Sequence, residues 1–206
     1  MTHPKLHLVV AAVALLIITP LARAGEGSDD FRLDALPAPA KTAFTQGTKT
    51  FQTELSYISP IRFSVEEFTM GSVGVGYYLW DNHCITLMAH GFHVNQAFDE
   101  STEGGAIFVL GRSHLYNPGG AAGRLSLYVD GGGGYSWANA AVPIGGTSYN
   151  INARAGVGLT FRLDDHCHLT AGARYFHLSN GKVHGKENNP SYDGVEGYVG
   201  LLFTFR

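Results

Sequence analysis

The chain has 206 residues, of which 45% are apolar, 15% are charged and 27 are glycines, with a formal net charge of −3. It is too apolar for a disordered chain, has too few cysteines (2) for a disulfide scaffold, and offers no global electrostatic reason to bind nucleic acid. The length suits one domain, but globular domains carry about 25% charged residues, so the shortage of charge needs a structural cause.

At the N-terminus Lys5 precedes an unbroken apolar run from Leu8 to Ile18. Pro20 ends the run, and Ala22-Arg23-Ala24 sets small residues at the two positions a signal peptidase reads. The run is too short to cross a bilayer, so residues 1–24 read as a secretory signal cleaved after Ala24. Residues 25–50 are polar, contain Pro37 and Pro39 and show no sustained periodicity. They read as a flexible or loosely docked extension.

From residue 51 to 206 the period is two. Phe51, Thr53, Leu55 and Tyr57 share one face, with Gln52, Glu54 and Ser56 on the other. Val73, Val75, Tyr77 and Leu79 are apolar within Ser72–Trp80, and glycines fill much of the opposite face. In 124–137, Leu125, Leu127, Val129, Tyr135 and Trp137 oppose Arg124, Ser126, Asp130 and Ser136. The segment 149–162 alternates most cleanly: Tyr149, Ile151, Ala153, Ala155, Val157, Leu159 and Phe161 oppose Asn150, Asn152, Arg154, Thr160 and Arg162. Such segments are long half-buried strands. Strands near 84–94, 104–116, 167–179 and 194–206 bring the total to eight.

An eight-stranded soluble barrel would bury the apolar face. These strands exceed the usual soluble length, and aromatics gather at their ends as in interfacial girdles. The polar face carries Glu54, Asp130, Arg154 and Arg174, which can pair inside a narrow barrel. The expected fold is therefore an all-β, eight-stranded antiparallel up-and-down transmembrane barrel, apolar face to lipid and polar face inward. With both termini periplasmic, Asp81-Asn82-His83 and Asp164-Asp165-His166 are short periplasmic turns. The longer connections 59–71, 95–103, 138–147 and 180–193 are then extracellular, and strand seven ends near the outer leaflet at His177-Leu178-Ser179.

His177 and Ser179 continue the apolar parity of Leu169, Ala171, Ala173 and Tyr175, so both point toward lipid. A serine hydroxyl needs a base to become a nucleophile, and an imidazole is the usual one. An acid beyond the imidazole would fix its tautomer, and Glu196, opening strand eight, is placed for this. A bare His-x-Ser is a weak motif, and an interfacial polar pair explains it equally.

The run Tyr175-Phe176-His177-Leu178-Ser179-Asn180-Gly181, then Asn189-Pro190, then Asp193-Gly194-Val195-Glu196-Gly197-Tyr198, resembles the lipid A 3-O-deacylases of the PagL type. The resemblance implies an outer-membrane barrel of a Gram-negative bacterium. It further implies cofactor-free hydrolysis of the 3-O-linked acyl chain of lipid A within lipopolysaccharide. By resemblance Ser179 is the nucleophile, His177 the base and Glu196 the acid, with Asn180 and the amide of Gly181 as oxyanion donors. Gly181 stands where alanine is common, and the loop to Glu196 is longer than usual. Strand eight is apolar on both parities, so Asp193 and Glu187 remain rival acids. Lys182 and Lys186 are candidates to meet lipid A phosphates, or are simply solvated. Lipopolysaccharide in the outer leaflet is the expected partner, and a homodimer is compatible with such a barrel.

Other polar clusters are less informative. Asp81-Asn82-His83-Cys84 and Asp165-His166-Cys167-His168 look alike, but lie four strands apart and so on opposite walls, which disfavours a shared zinc or a Cys84–Cys167 disulfide. His90, His93 and His114 read as wall polars, and Gly131–Gly134 as strand rather than phosphate loop. A structural or adhesive barrel, or a phospholipase or acyltransferase, are the alternative functions.

Overall fold

The computed structural model describes residues 43–206 apart from 62–63, 100, 118–122, 184 and 187–188. The expected signal, residues 1–24, and residues 25–42 of the expected extension lie outside the described residues.

Eight antiparallel strands form one closed barrel in sequence order: β1 Lys49–Pro60, β2 Glu67–Trp80, β3 His83–Asn95, β4 Ser101–Tyr116, β5 Leu125–Val142, β6 Thr147–Arg162, β7 Cys167–Ser179 and β8 Tyr192–Phe205. β1 and β8 close the sheet in a continuous register from Lys49↔Phe205 to Pro60↔Gly194, so no backbone edge is left open. The two termini of the barrel share one end, and β7 ends at the other.

The alternation sorts side chains as the period of two dictates. Val73, Val75, Tyr77, Ile107, Val109, Tyr149, Ile151 and Val157 stand exposed on the outer wall. Outward aromatics gather at both ends: Tyr77, Trp80, Tyr116 and Phe205 at the terminal end, Tyr135, Trp137 and Tyr149 at the far end. This apolar wall with aromatic belts is the signature of a lipid-facing barrel.

The interior is filled. At mid-height Arg174 holds Asp130 through two bonds of 2.8 and 2.9 Å and Glu54 through bonds of 2.9 and 3.2 Å. Arg112 adds a 3.1 Å bond to Asp130. The guanidinium of Arg174 lies 3.7 Å from the ring centre of Tyr198, that of Arg154 3.9 Å from Phe108, and that of Arg112 4.1 Å from Tyr128. Apolar residues pack on either side of this layer: Phe68, Met88, Phe92, Phe176 and Tyr192 toward the far end, and Phe44, Tyr78 and Leu202 toward the termini. Buried charge survives here because each carboxylate meets a guanidinium.

Two details differ from the sequence reading. First, the connections expected at 59–71, 95–103 and 138–147 contract to 61–66, 96–100 and 143–146. Strand pairing continues through polar and glycine-rich stretches because the ladder is made by backbone, not by side-chain polarity. Only 180–191 remains long at the far end, while 117–124 is extended at the terminal end, so loop length is a poor guide to orientation here. Second, β1 opens at Lys49, and the described residues just before it, 43–48, are docked. Phe44 stacks on His114 with ring centres 3.9 Å apart, Gln46 N donates to Asp81 Oδ1 at 2.7 Å, and Asn82 N donates to Phe44 O at 2.7 Å. Cys84 and Cys167, on opposite walls, are free thiols.

Gly132 and Gly134 lie within β5, and a Cβ on either would fall about 2 Å from the carbonyl oxygen of Val109 or Ile107 on β4. The glycine run is therefore close strand packing.

Candidate active site

β7 delivers three outward side chains in a row, Tyr175, His177 and Ser179, because alternate residues of a strand share a face. The neighbouring register sets His177 opposite Asp193 of β8 and Ala153 of β6, and Ser179 opposite Ile151. His177 Nδ1 lies 2.8 Å from Asp193 Oδ1, with the two side chains 34% and 25% exposed. The ionised carboxylate can only accept, so Nδ1 carries a proton, and in the neutral imidazole Nε2 is then the nitrogen with a free lone pair. The Tyr175 hydroxyl donates to the same Asp193 oxygen. The peptide oxygen of Asp193 accepts from Ile61 N at 3.0 Å, which ties the start of β8 to the end of β1.

Ser179 is half-buried at the last position of β7, two residues from His177 on the same face. Among the described residues no side-chain hydrogen bond joins Ser179 to the imidazole. Such contacts commonly tighten only when substrate is bound. A strand-borne His-x-Ser with an acid across the ladder supplies a base, a hydroxyl and an orienting carboxylate on one lipid-facing patch.

The chain leaves β7 through a tight turn. Val183 N donates to Asn180 O at 3.3 Å, and the two central residues, Gly181 and Lys182, have φ of +66° and +64°. Two left-handed residues in succession define a type I′ turn, which explains glycine at 181 in place of alanine. Lys182 and Lys186 are exposed on this loop.

The structure sets Glu196 apart from His177. Glu196, expected beside His177, has the opposite parity to Asp193 and is wholly buried in the lumen. Its carboxylate lies 3.3 Å from Arg154 Nη1 and 3.6 Å from Arg174 Nη1. The reason is electrostatic: the interior holds three arginines, and Glu54 and Asp130 are the other acids in contact with them. Asn180 is also repositioned. It is buried, on the opposite parity to Ser179, and its side-chain oxygen accepts from Lys182 N at 2.9 Å while its own N–H donates to Asn189 Oδ1 at 2.9 Å. In this geometry its side chain clamps the turn. Glu187 lies outside the described residues.

The other histidines serve the wall. His90 bonds Ser72 Oγ at 2.6 Å and His114 bonds Ser126 Oγ at 2.7 Å, both inside, whereas His93 faces out, 3.9 Å from Glu103. Among the described residues no group of three or more His, Cys, Asp or Glu side chains is arranged to hold a metal ion.

Solved structures share the fold at low identity. Neisserial surface protein A (NspA) matches with a TM-score of 0.55 and 15% identity over 77% of this chain and 96% of its own. The outer membrane protein OprG of Pseudomonas aeruginosa gives 0.52 and 14% over 81% and 100%. Outer Membrane Protein W of E. coli gives 0.52 and 13% over 78% and 99%. The closed barrel is thus of the bacterial outer-membrane type. No curated protein matches the chain. The family description "Lipid A 3-O-deacylase (PagL)" matches residues 70–201, a span that runs from β2 into β8 and includes Tyr175, His177, Ser179 and Asp193. The chain therefore belongs to the lipid A 3-O-deacylase (PagL) family.

Proposed function

We propose that the chain is an outer-membrane ester hydrolase that removes the 3-O-linked acyl chain of lipid A, with Ser179 as nucleophile, His177 as general base and Asp193 as the acid. The observation that carries this reading is the 2.8 Å His177–Asp193 contact on the lipid-facing wall, two residues along the strand from Ser179 on the same face. A histidine–carboxylate pair facing acyl chains contributes little to barrel stability, and it stands at the end of the barrel away from the termini, which is the end facing the outer leaflet.

The chemistry uses side chains and water alone. Ser179 Oγ attacks the ester carbonyl carbon as His177 Nε2 takes its proton, and the carbonyl π electrons move to oxygen. The Gly181 amide, in the turn just after the nucleophile, is the proposed donor to that oxyanion. Collapse expels the sugar 3-oxygen, which takes the proton from His177 and leaves an acyl ester on Ser179. Water, deprotonated by His177, then releases the fatty acid and restores the hydroxyl. Asp193 holds Nδ1–H and stabilises the imidazolium in both halves. Substrate need not leave the membrane, because its ester bonds lie just below the headgroups. The exposed Lys182 and Lys186 lie on the adjoining loop, at the height of lipid A phosphates.

The test is mass spectrometry of lipid A from Gram-negative cells with and without this protein. Loss of one 3-O-linked hydroxyacyl chain is expected. Unchanged lipid A with the barrel present in the outer membrane would favour a structural or adhesive role, and altered phospholipid instead would favour a phospholipase.

A further inference from the structure

We propose that Tyr175 is a positioning residue of this site, acting through Asp193; the inference rests on the hydrolase reading above. Its phenol donates to the Asp193 oxygen that also takes His177 Nδ1–H. Tyr175, His177 and Ser179 are successive outward residues of β7, and Tyr175 is paired with Val195, so Asp193 is its diagonal neighbour on β8. A diagonal cross-strand separation of about 7–8 Å is within reach of an aromatic side chain but not of a short one.

The need for such a clamp follows from where the site lies. A buried triad has its acid fixed by surrounding walls. Here the acid stands on an open convex surface with its side chain 25% exposed, and the strand register brings only its Cβ to the right place. Two further torsions decide whether its oxygen meets the imidazole. A second donor on the same oxygen selects the rotamer in which it does. A tyrosine suits the task on a lipid-facing wall, because its ring is at home among acyl chains while its hydroxyl reaches up to a polar partner. The ring itself is 47% exposed, so it also faces acyl chains, and the hydroxyl supplies the contact to the acid.

An outward tyrosine at this height could equally be an interfacial anchor for the barrel, and the two roles respond differently to substitution. Tyr175→Phe keeps the ring and its anchoring while removing the donor. The assay is steady-state hydrolysis of purified lipid A in detergent by barrels whose folding is checked by heat-modifiable migration. Positioning predicts that kcat falls about tenfold or more, the scale of one hydrogen bond to a charged acceptor, with KM within about twofold. In an Asp193→Ala background the same change should cost nothing further, since its acceptor is gone. Tyr175→Phe with wild-type kcat, or with an effect that multiplies undiminished onto Asp193→Ala, would overturn the proposal while leaving the hydrolase reading intact. A fully active Ser179→Ala measured alongside would overturn the reading itself, and the positioning role with it.

Discussion

Asp193 and Glu196 are three residues apart on β8; the structure sets them on opposite faces, and the proposed mechanism gives them different tasks that single substitutions separate. Glu196→Gln removes a charge from a lumen where its side chain and that of Arg154 are wholly buried. At an effective dielectric of about 20, attraction across such a contact is about 5 kcal/mol. Part returns as relief of the carboxylate's own desolvation, and leaving a buried guanidinium without its ion partner costs about 3–5 kcal/mol. Arg154 is the arginine most exposed to this loss: Glu196 is its salt-bridge partner, while Arg174 retains Glu54 and Asp130. The variant should therefore unfold at lower urea and show a weaker heat-modifiable band, yet hydrolyse lipid A at close to the wild-type rate per folded molecule. Asp193→Asn should do the reverse. Its side chain is partly exposed, so stability should hold, while kcat falls by about a hundredfold to a thousandfold as the imidazole loses its charged partner. A folded but inactive Glu196→Gln beside an active Asp193→Asn would refute the reasoning. It would mean that β8 turns Glu196 outward, a slip of odd parity that inverts every side chain of the strand.

Two further outcomes follow from the turn and the docked segment. Gly181→Ala forces a Cβ into a φ of +66° and should cost about 1–2 kcal/mol of local turn stability, read as lower deacylation with an unchanged unfolding midpoint. Phe44→Ala removes a 7%-exposed ring stacked on His114 and should lower unfolding stability by about 3 kcal/mol in urea titration. Deacylation should be unaffected, because the ring sits at the opposite end of the barrel from Ser179.

The barrel was legible because one rule, alternation, recurs in strand after strand. Val73 to Leu79 and Tyr149 to Phe161 each declare which face meets lipid, and the same parity carries His177 and Ser179 outward. The placement of Glu196 was not legible by that rule. Val195 and Val199 alternate with Tyr198 and Leu202, so both faces of β8 look apolar and the parity of Glu196 cannot be read. A charge count held the missing signal. Arg112, Arg154 and Arg174 all fall on inward parity, whereas Glu54 and Asp130 supply only two carboxylates, and a third inward acid was needed. Tyr175 was read as one more apolar wall residue because a diagonal contact depends on register, which the long 180–191 loop conceals. Phe44 gave no sign for a related reason: one aromatic in a polar, aperiodic stretch has no pattern to belong to.

The central claim is that Ser179, on the outside of the barrel, cleaves the 3-O-acyl ester of lipid A. The most direct measurement is the fatty acid released from purified lipid A in detergent by folded wild-type protein and by folded Ser179→Ala, with product lipid analysed by mass spectrometry. The account predicts one hydroxy fatty acid per lipid A, lost from the 3-position, with wild type, and a rate lower by several orders of magnitude with Ser179→Ala. Release from another position, or equal release by the two proteins, would contradict it.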